Sequence, residues 1–224
     1  NLENGDTFRA PTVIVTAGGT PIKLGVPGEI EYAGKGVSYC AICDGAFFRE
    51  HTIMVVGGGD AACEEADFLT RYAAKVYLVH RRDAFRASKV VQQRVFNNPK
   101  IEVVWNTVVD AIAGKDGLMT HARLRDVNTG ASRELAATGV FIFIGFKPNT
   151  GVIEGHIEHD AGGYLITDAN METSIRGLFA AGDVRAQLTR QVTTAVGDAT
   201  TAAIAVEKYL TARKSGAPAP AQIG

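Results

Sequence analysis

Ile53-Met54-Val55-Val56-Gly57-Gly58-Gly59-Asp60-Ala61-Ala62 is the stretch whose reading decides the fold. A β-branched apolar run that ends in glycines predicts a buried strand and a tight turn. The helix predicted next, over about 61–72, places Cys63, Ala66 and Leu69–Thr70 along one side at three- and four-residue spacing. Val76-Tyr77-Leu78-Val79 then reads as a returning parallel strand. Strand, glycine turn, helix and strand make one α/β unit with a parallel sheet.

Within that unit Gly57, Gly58, Gly59, Asp60, Ala61 and Ala62 fit the G-x-G-x-x-A form of the dinucleotide fingerprint. The first glycine permits the turn, and the second lets backbone approach a pyrophosphate. Ala62 lets the helix pack closely, with its N-terminus toward the phosphates. A glycine turn alone is weak evidence, but a strand before it and a helix and strand after it supply the confirming context. Where an NAD-binding chain presents an acid to the ribose 2′-hydroxyl, this one has His80-Arg81-Arg82 and then Arg86. Guanidinium groups fork onto a 2′-phosphate that an acid would repel, so NADPH is the expected cofactor rather than NADH. The bland alternative is a solvated basic turn.

Immediately upstream stands Cys40-Ala41-Ile42-Cys43-Asp44-Gly45. The spacing suits a disulfide in a tight loop. It also suits half of a zinc site, but zinc takes four ligands, no second pair occurs, and His51 and His80 are poorly placed partners. A redox-active pair is therefore expected. Asp44 is a candidate proton carrier for a leaving thiolate, or simply a turn former. Cys63 reads as a small buried apolar residue.

The 224 residues, 46% hydrophobic, allow one large or two small domains with a real core. A net charge of −1 argues against a general nucleic-acid or anionic-membrane role. No apolar run reaches the roughly 20 residues of a membrane span. Three cysteines make no secreted disulfide framework, so a cytoplasmic location is expected.

Elsewhere, Val13-Ile14-Val15 predicts a buried strand ending at Gly18-Gly19, and residues 20–38 a connection. A second helix over 88–96, a strand over 101–105, a hairpin over 118–135 and a buried strand over 139–145 complete the central part. The last third offers short strands at 164–166 and 177–181 and a long helix over 193–210. It rejoins residues 1–19, giving a nucleotide domain inserted into a discontinuous second domain. The end after Arg213 has no apolar face and is expected to be a flexible tail, 214–224.

With these residues assembled, the chain resembles the bacterial-type, low-molecular-weight thioredoxin reductases. The resemblance is carried by 40–45, 57–62, His-Arg-Arg-Asp-Ala-Phe-Arg-Ala at 80–87, Ile-Gly-Phe-Lys-Pro-Asn-Thr at 144–150, Ala-Ala-Gly-Asp-Val at 180–184 and Arg-Gln-Val at 190–192. It implies two Rossmann-like three-layer domains: an NADPH domain, 20–145, bearing the cysteine pair, inserted into an FAD domain represented by 1–19 and 146–213. It implies FAD held by Gly182 and Asp183, the aspartate on the ribityl chain, and by Arg190, Gln191 and Val192 near the flavin ring. Electrons would pass from NADPH through FAD to Cys40–Cys43 and on to thioredoxin, in a homodimer, with hinges near Gly18-Gly19 and Gly145. The family opens with a strand and glycine turn for the FAD pyrophosphate that this sequence lacks. The expectation is a segment of something longer, with FAD bound weakly or not at all and NADPH still bound. Two other readings are the flavoprotein subunit of alkyl hydroperoxide reductases, whose NADH preference conflicts with the arginines, and an NADPH-binding fragment without turnover.

Overall fold

The computed structural model describes residues 4–153 and 157–216. It divides into two compact units, Asn1–Thr20 with Lys147–Gly224, and Pro21–Phe146. The chain enters through β1 (Val13–Val15) and β2 (Gly19–Pro21).

The inserted unit contains β3 (Val37–Ser38), α1 (Ala41–Asp44), β4 (Thr52–Gly57), α2 (Asp60–Leu69), β5 (Lys75–Val79), α3 (Lys89–Asn97) and β6 (Ile101–Val104). After these come β7 (Thr107–Lys115), β8 (Leu118–Asp126), β9 (Ser132–Ala136) and β10 (Gly139–Phe143). Strands β3-β10-β4-β5-β6, in that order, form one wholly parallel sheet. Parallel strands are covered on both faces, which is why Thr52–Gly57 and Gly139–Phe143 are almost uninterruptedly apolar.

Side-chain alternation sorts β4 between two cores. Ile53 and Val55 face Ala62, Cys63, Ala66 and Leu69 of α2, together with Val91 and Val95 of α3. Met54 and Val56 face Val109, Ile112, Met119 and Leu124 of an antiparallel sheet ordered β7-β8-β9. The result is three layers: helices, parallel sheet, antiparallel sheet.

Where the sequence pattern predicts a hairpin over 118–135, the structure adds β7 as a third strand. Register shifts between Val109 and Ala111 and between Ala113 and Gly114 break its two-residue period, so no alternation marks it. The connection 20–38 is also more ordered than its glycines and prolines predict. The Glu29 carboxylate, 1% exposed, accepts hydrogen bonds from the backbone N–H groups of Leu24 (3.0 Å) and Gly25 (2.7 Å) and from the Tyr39 hydroxyl (2.7 Å).

β11 (Phe146–Pro148) pairs with β2. In the discontinuous unit β1 pairs in parallel with β12 (Leu178–Ala180), and α4 (Val192–Ser215) follows. Phe179, Ala181 and Ala202 form a small core backed by Tyr209 and Val206. Helix α4 overruns the expected tail boundary at 213, because Gly216 closes it in the left-handed conformation, φ 69°. The rest of the predicted tail, 217–224, lies outside the described residues.

Candidate functional site

β3 delivers the chain to the cysteine pair, and α1 gives the pair its shape. Cys40 is the N-cap of α1 in extended conformation (φ −142°, ψ 104°), and its Sγ accepts a hydrogen bond from the Cys43 backbone N–H at 3.2 Å. Cys40 and Cys43 are joined as a disulfide with Cα atoms 5.3 Å apart. Cys43 is exposed and Cys40 half-buried, so one sulfur faces solvent more openly than the other. Just before them sits Ser38, 5% exposed. Its hydroxyl donates to Asp44 Oδ2 at 2.6 Å and accepts from the Cys40 backbone N–H at 3.1 Å. One buried hydroxyl thus fixes both the carboxylate that follows the pair and the amide of its first cysteine.

Cys63 lies on the buried face of α2, where burial and the charges of Asp60 and Glu64 push its thiol up to about 11. It stays protonated near neutral pH and takes no part as a thiolate.

The glycine turn joins β4 to α2. A Cβ on Gly57 (φ 155°) would lie 2.5 Å from Ala62 Cβ and from the Phe143 carbonyl oxygen, so the turn and the helix meet without a spare atom. Gly59 has open space where its Cβ would be. It is the N-cap of α2 and supplies no side chain to that helix's first N–H groups. Those donors are available to an approaching anion, as a pyrophosphate requires.

The four basic candidates do not sit alike. Arg81, Arg82 and Arg86 are exposed at the end of β5. His80 is 6% exposed, with its Nε2 3.1 Å from the Ala84 carbonyl oxygen. Its ring fills the place next to Gly58, where an added Cβ would come within 2.1 Å of it. Burial, and then the charges of Arg82 and Arg81, hold the imidazole below its ordinary 6.5. His80 is a neutral wedge under the turn, whereas the three arginines present their charges outward.

In the other unit Thr16, Gly18, Gly182, Asp183, Gln191 and Val192 line a cleft of about 370 Å³. Asp183 Oδ1 is buried with no hydrogen-bond partner among the described residues, an arrangement that calls for a donor such as a ribityl hydroxyl. Asp198 holds Gly182 in place, accepting from its N–H at 3.0 Å and pairing with Arg185 at 2.8 Å. The guanidinium of Arg190 packs on the Tyr164 ring, 4.0 Å from its centroid, and does not line the cleft. Of the residues expected at a flavin, Gly182, Asp183, Gln191 and Val192 line this cleft, and the unpartnered Asp183 Oδ1 is what suits such a group.

Two residues of these sites, Ser38 beside the disulfide and Thr16 on the cleft, stand outside every motif of the sequence. Ser38 alone had a local signal, a hydroxyl two residues before Cys40 at a strand end, where side-chain-to-backbone bonds are common.

A parallel-sheet dinucleotide turn with a disulfide built into the same unit defines a pyridine-nucleotide-linked redox fold. The family model described as pyridine nucleotide-disulphide oxidoreductase matches residues 1–199. A thioredoxin reductase of Streptomyces clavuligerus is 48% identical over 222 residues, covering 97% of this chain and 69% of the relative. One of Peptoclostridium litorale is 46% identical over 209 residues, covering 91% and 66%. The crystal structure of thioredoxin reductase from Streptococcus pyogenes MGAS5005 superposes with a TM-score of 0.87 at 49% identity, covering 90% of this chain and 66% of that one. The chain belongs to the pyridine nucleotide-disulphide oxidoreductase family, and within it to the thioredoxin reductases. It spans about two thirds of the length of these relatives.

Proposed function

We propose that this chain is the NADPH- and dithiol-bearing part of a thioredoxin-disulfide reductase, working in the cytoplasm as a homodimer. The observation that carries the reading is the Cys40–Cys43 disulfide lying in the same unit as the glycine turn and its three exposed arginines. When bound, NADPH supplies the hydride and FAD relays the two electrons to the disulfide.

The chain's own residues do the rest. The free N–H groups at the start of α2 hold the pyrophosphate, with Gly59 leaving room for it. Arg81, Arg82 and Arg86 hold the 2′-phosphate. In the discontinuous unit, Gly182, Asp183, Gln191 and Val192 border the flavin, whereas Arg190, stacked on Tyr164, would have to leave that ring to reach it. Two electrons cleave the Cys40–Cys43 bond, giving a thiol and a thiolate. The thiolate attacks the disulfide of thioredoxin to form a mixed disulfide. The second cysteine, losing its proton, then attacks its neighbour's sulfur, restoring the Cys40–Cys43 bond and releasing reduced thioredoxin. Asp44, held by Ser38, moves that proton.

A chain whose cysteines are one redox pair and one buried thiol suits a reducing compartment. The net charge of −1 argues against nucleic acid as a partner. Among the described residues no helix is long and apolar enough to cross a membrane. The homodimer rests on the family resemblance alone.

The test is a visible absorption spectrum of the purified chain with added FAD, before and after anaerobic NADPH, followed by oxidised thioredoxin. Flavin bands that bleach with NADPH and return with thioredoxin support the reading, and Cys43→Ser should abolish the return. Retained bands that bleach only with NADH would point to the hydroperoxide-reductase type of subunit. NADPH binding with no bleaching would leave a nucleotide-binding piece without turnover.

A further inference from the structure

Three ties join the glycine turn to the segment that carries the arginines. The Arg86 backbone N–H donates to the Gly58 carbonyl at 2.8 Å. The Ser88 backbone N–H donates to Asp60 Oδ1 at 2.8 Å. The His80 ring abuts Gly58 and, through Nε2, reaches the Ala84 carbonyl. Between His80 and Ser88 the chain forms neither helix nor strand. The buried Phe85 and Ala87, the Gln92 amide donating to the Ala87 carbonyl at 2.7 Å and the Asn106 N–H donating to the Arg82 carbonyl at 3.2 Å also hold it, but only the three ties above reach the glycine turn. Asp60 is exposed, and its carboxylate stands at the first residue of α2, where an anionic ligand is expected. An acid there repels a pyrophosphate, and its place is better explained by what it holds than by what it binds.

We propose that Asp60 is a positioning residue for 2′-phosphate selectivity: by gripping the Ser88 amide it fixes the arginine segment against the glycine turn. Asp60 therefore acts through Arg81, Arg82 and Arg86 rather than on the nucleotide. The inference rests on the NADPH reading above and adds to it the residue that pre-organises the specificity loop. Pre-ordering an irregular segment removes the cost of ordering it at each binding event. The same contact holds the Asp60 carboxyl below its ordinary range. The competing explanation is that Asp60 merely answers the α2 dipole.

Two substitutions separate these accounts. Asp60→Asn keeps an oxygen acceptor for Ser88 but discards the charge. Ser88→Pro keeps the charge and discards the donor, at a position whose φ of −59° a proline ring adopts without strain. The experiment titrates the full chain and its variants with 2′,5′-ADP and with 5′-AMP by calorimetry. The unsubstituted chain should prefer 2′,5′-ADP. Asp60→Ala and Ser88→Pro should each lower that preference about tenfold, the scale of one charge-assisted hydrogen bond. Asp60→Asn should keep most of it, and the double variant Asp60→Ala/Ser88→Pro should be no worse than either single one. Unchanged preference in Asp60→Ala, or a loss in Asp60→Asn equal to that in Asp60→Ala, overturns the proposal while leaving the NADPH reading intact. No preference in the unsubstituted chain overturns both.

Discussion

The two units bury their apolar residues very differently. In the inserted unit, Ile53, Met54, Val55, Val76, Leu78, Val79, Val140 and Phe141 are all 0% exposed. Helices cover one face of its sheet and a second sheet covers the other. In the discontinuous unit, β1 leaves Val13 51% and Ile14 36% exposed, and α4 leaves Val192, Val196 and Ile204 at 80%, 60% and 54%. Burial of apolar area drives folding, so within this chain the inserted unit is expected to be the more stable of the two. The polar ties of the discontinuous unit include Asp198 with Arg185 and Glu172 with Arg176.

The sharpest way to break this contrast is to empty each core in turn. Trp105, the chain's single tryptophan, packs 4.4 Å from Phe85 (ring centroids) and reports on the inserted unit. Phe141→Ala should cost that unit about 3–5 kcal/mol, read as a lower urea midpoint of Trp105 fluorescence. Phe179→Ala should leave that midpoint unmoved, and an equal shift would show that the units unfold together. Next in size, Asp198→Ala strips Arg185, 12% exposed, of its carboxylate partner. The expected loss is on the order of 3 kcal/mol, confined to faster amide exchange at Gly182 and along α4. Gly58→Ala drives a methyl into the His80 ring and should cost about 1–3 kcal/mol, together with nucleotide affinity. If affinity survives, the ring moves more freely than its bond to Ala84 implies.

The smallest expected effect is a pH dependence. The folded pKa of His80 lies below 6.5, so between the two values the unfolded chain binds more protons, and stability falls as pH drops through that window. This contribution is fully present above 6.5. His80→Gln should flatten the slope of the Trp105 midpoint between pH 7 and acid relative to the unsubstituted chain.

Much of the inserted unit was legible in the sequence because parallel strands buried on both faces write themselves as apolar runs, and glycines mark where they turn. The cysteine pair and the turn at 57–62 were readable for the same reason: their chemistry depends on residue type at short spacing. β2 and β11 were not, since Gly-Thr-Pro and Phe-Lys-Pro carry no alternation. Asp60 and Ser88 were not readable as a pair, because the donor is a backbone N–H, 28 residues away, and any residue but proline supplies one. His80 was grouped with the arginines by its basic nature, but its position was decided by ring shape and by the absence of a side chain on Gly58.

The Ile22 backbone N–H donates to the Gly145 carbonyl at 2.9 Å, and Gly145 turns there with φ 142°, a conformation that L side chains rarely adopt. The inserted unit therefore begins and ends at one point on its own surface. A segment with that property is portable: it can be excised as residues 21–146, grafted into another host loop, or joined end to end and reopened elsewhere, without stretching its sheet.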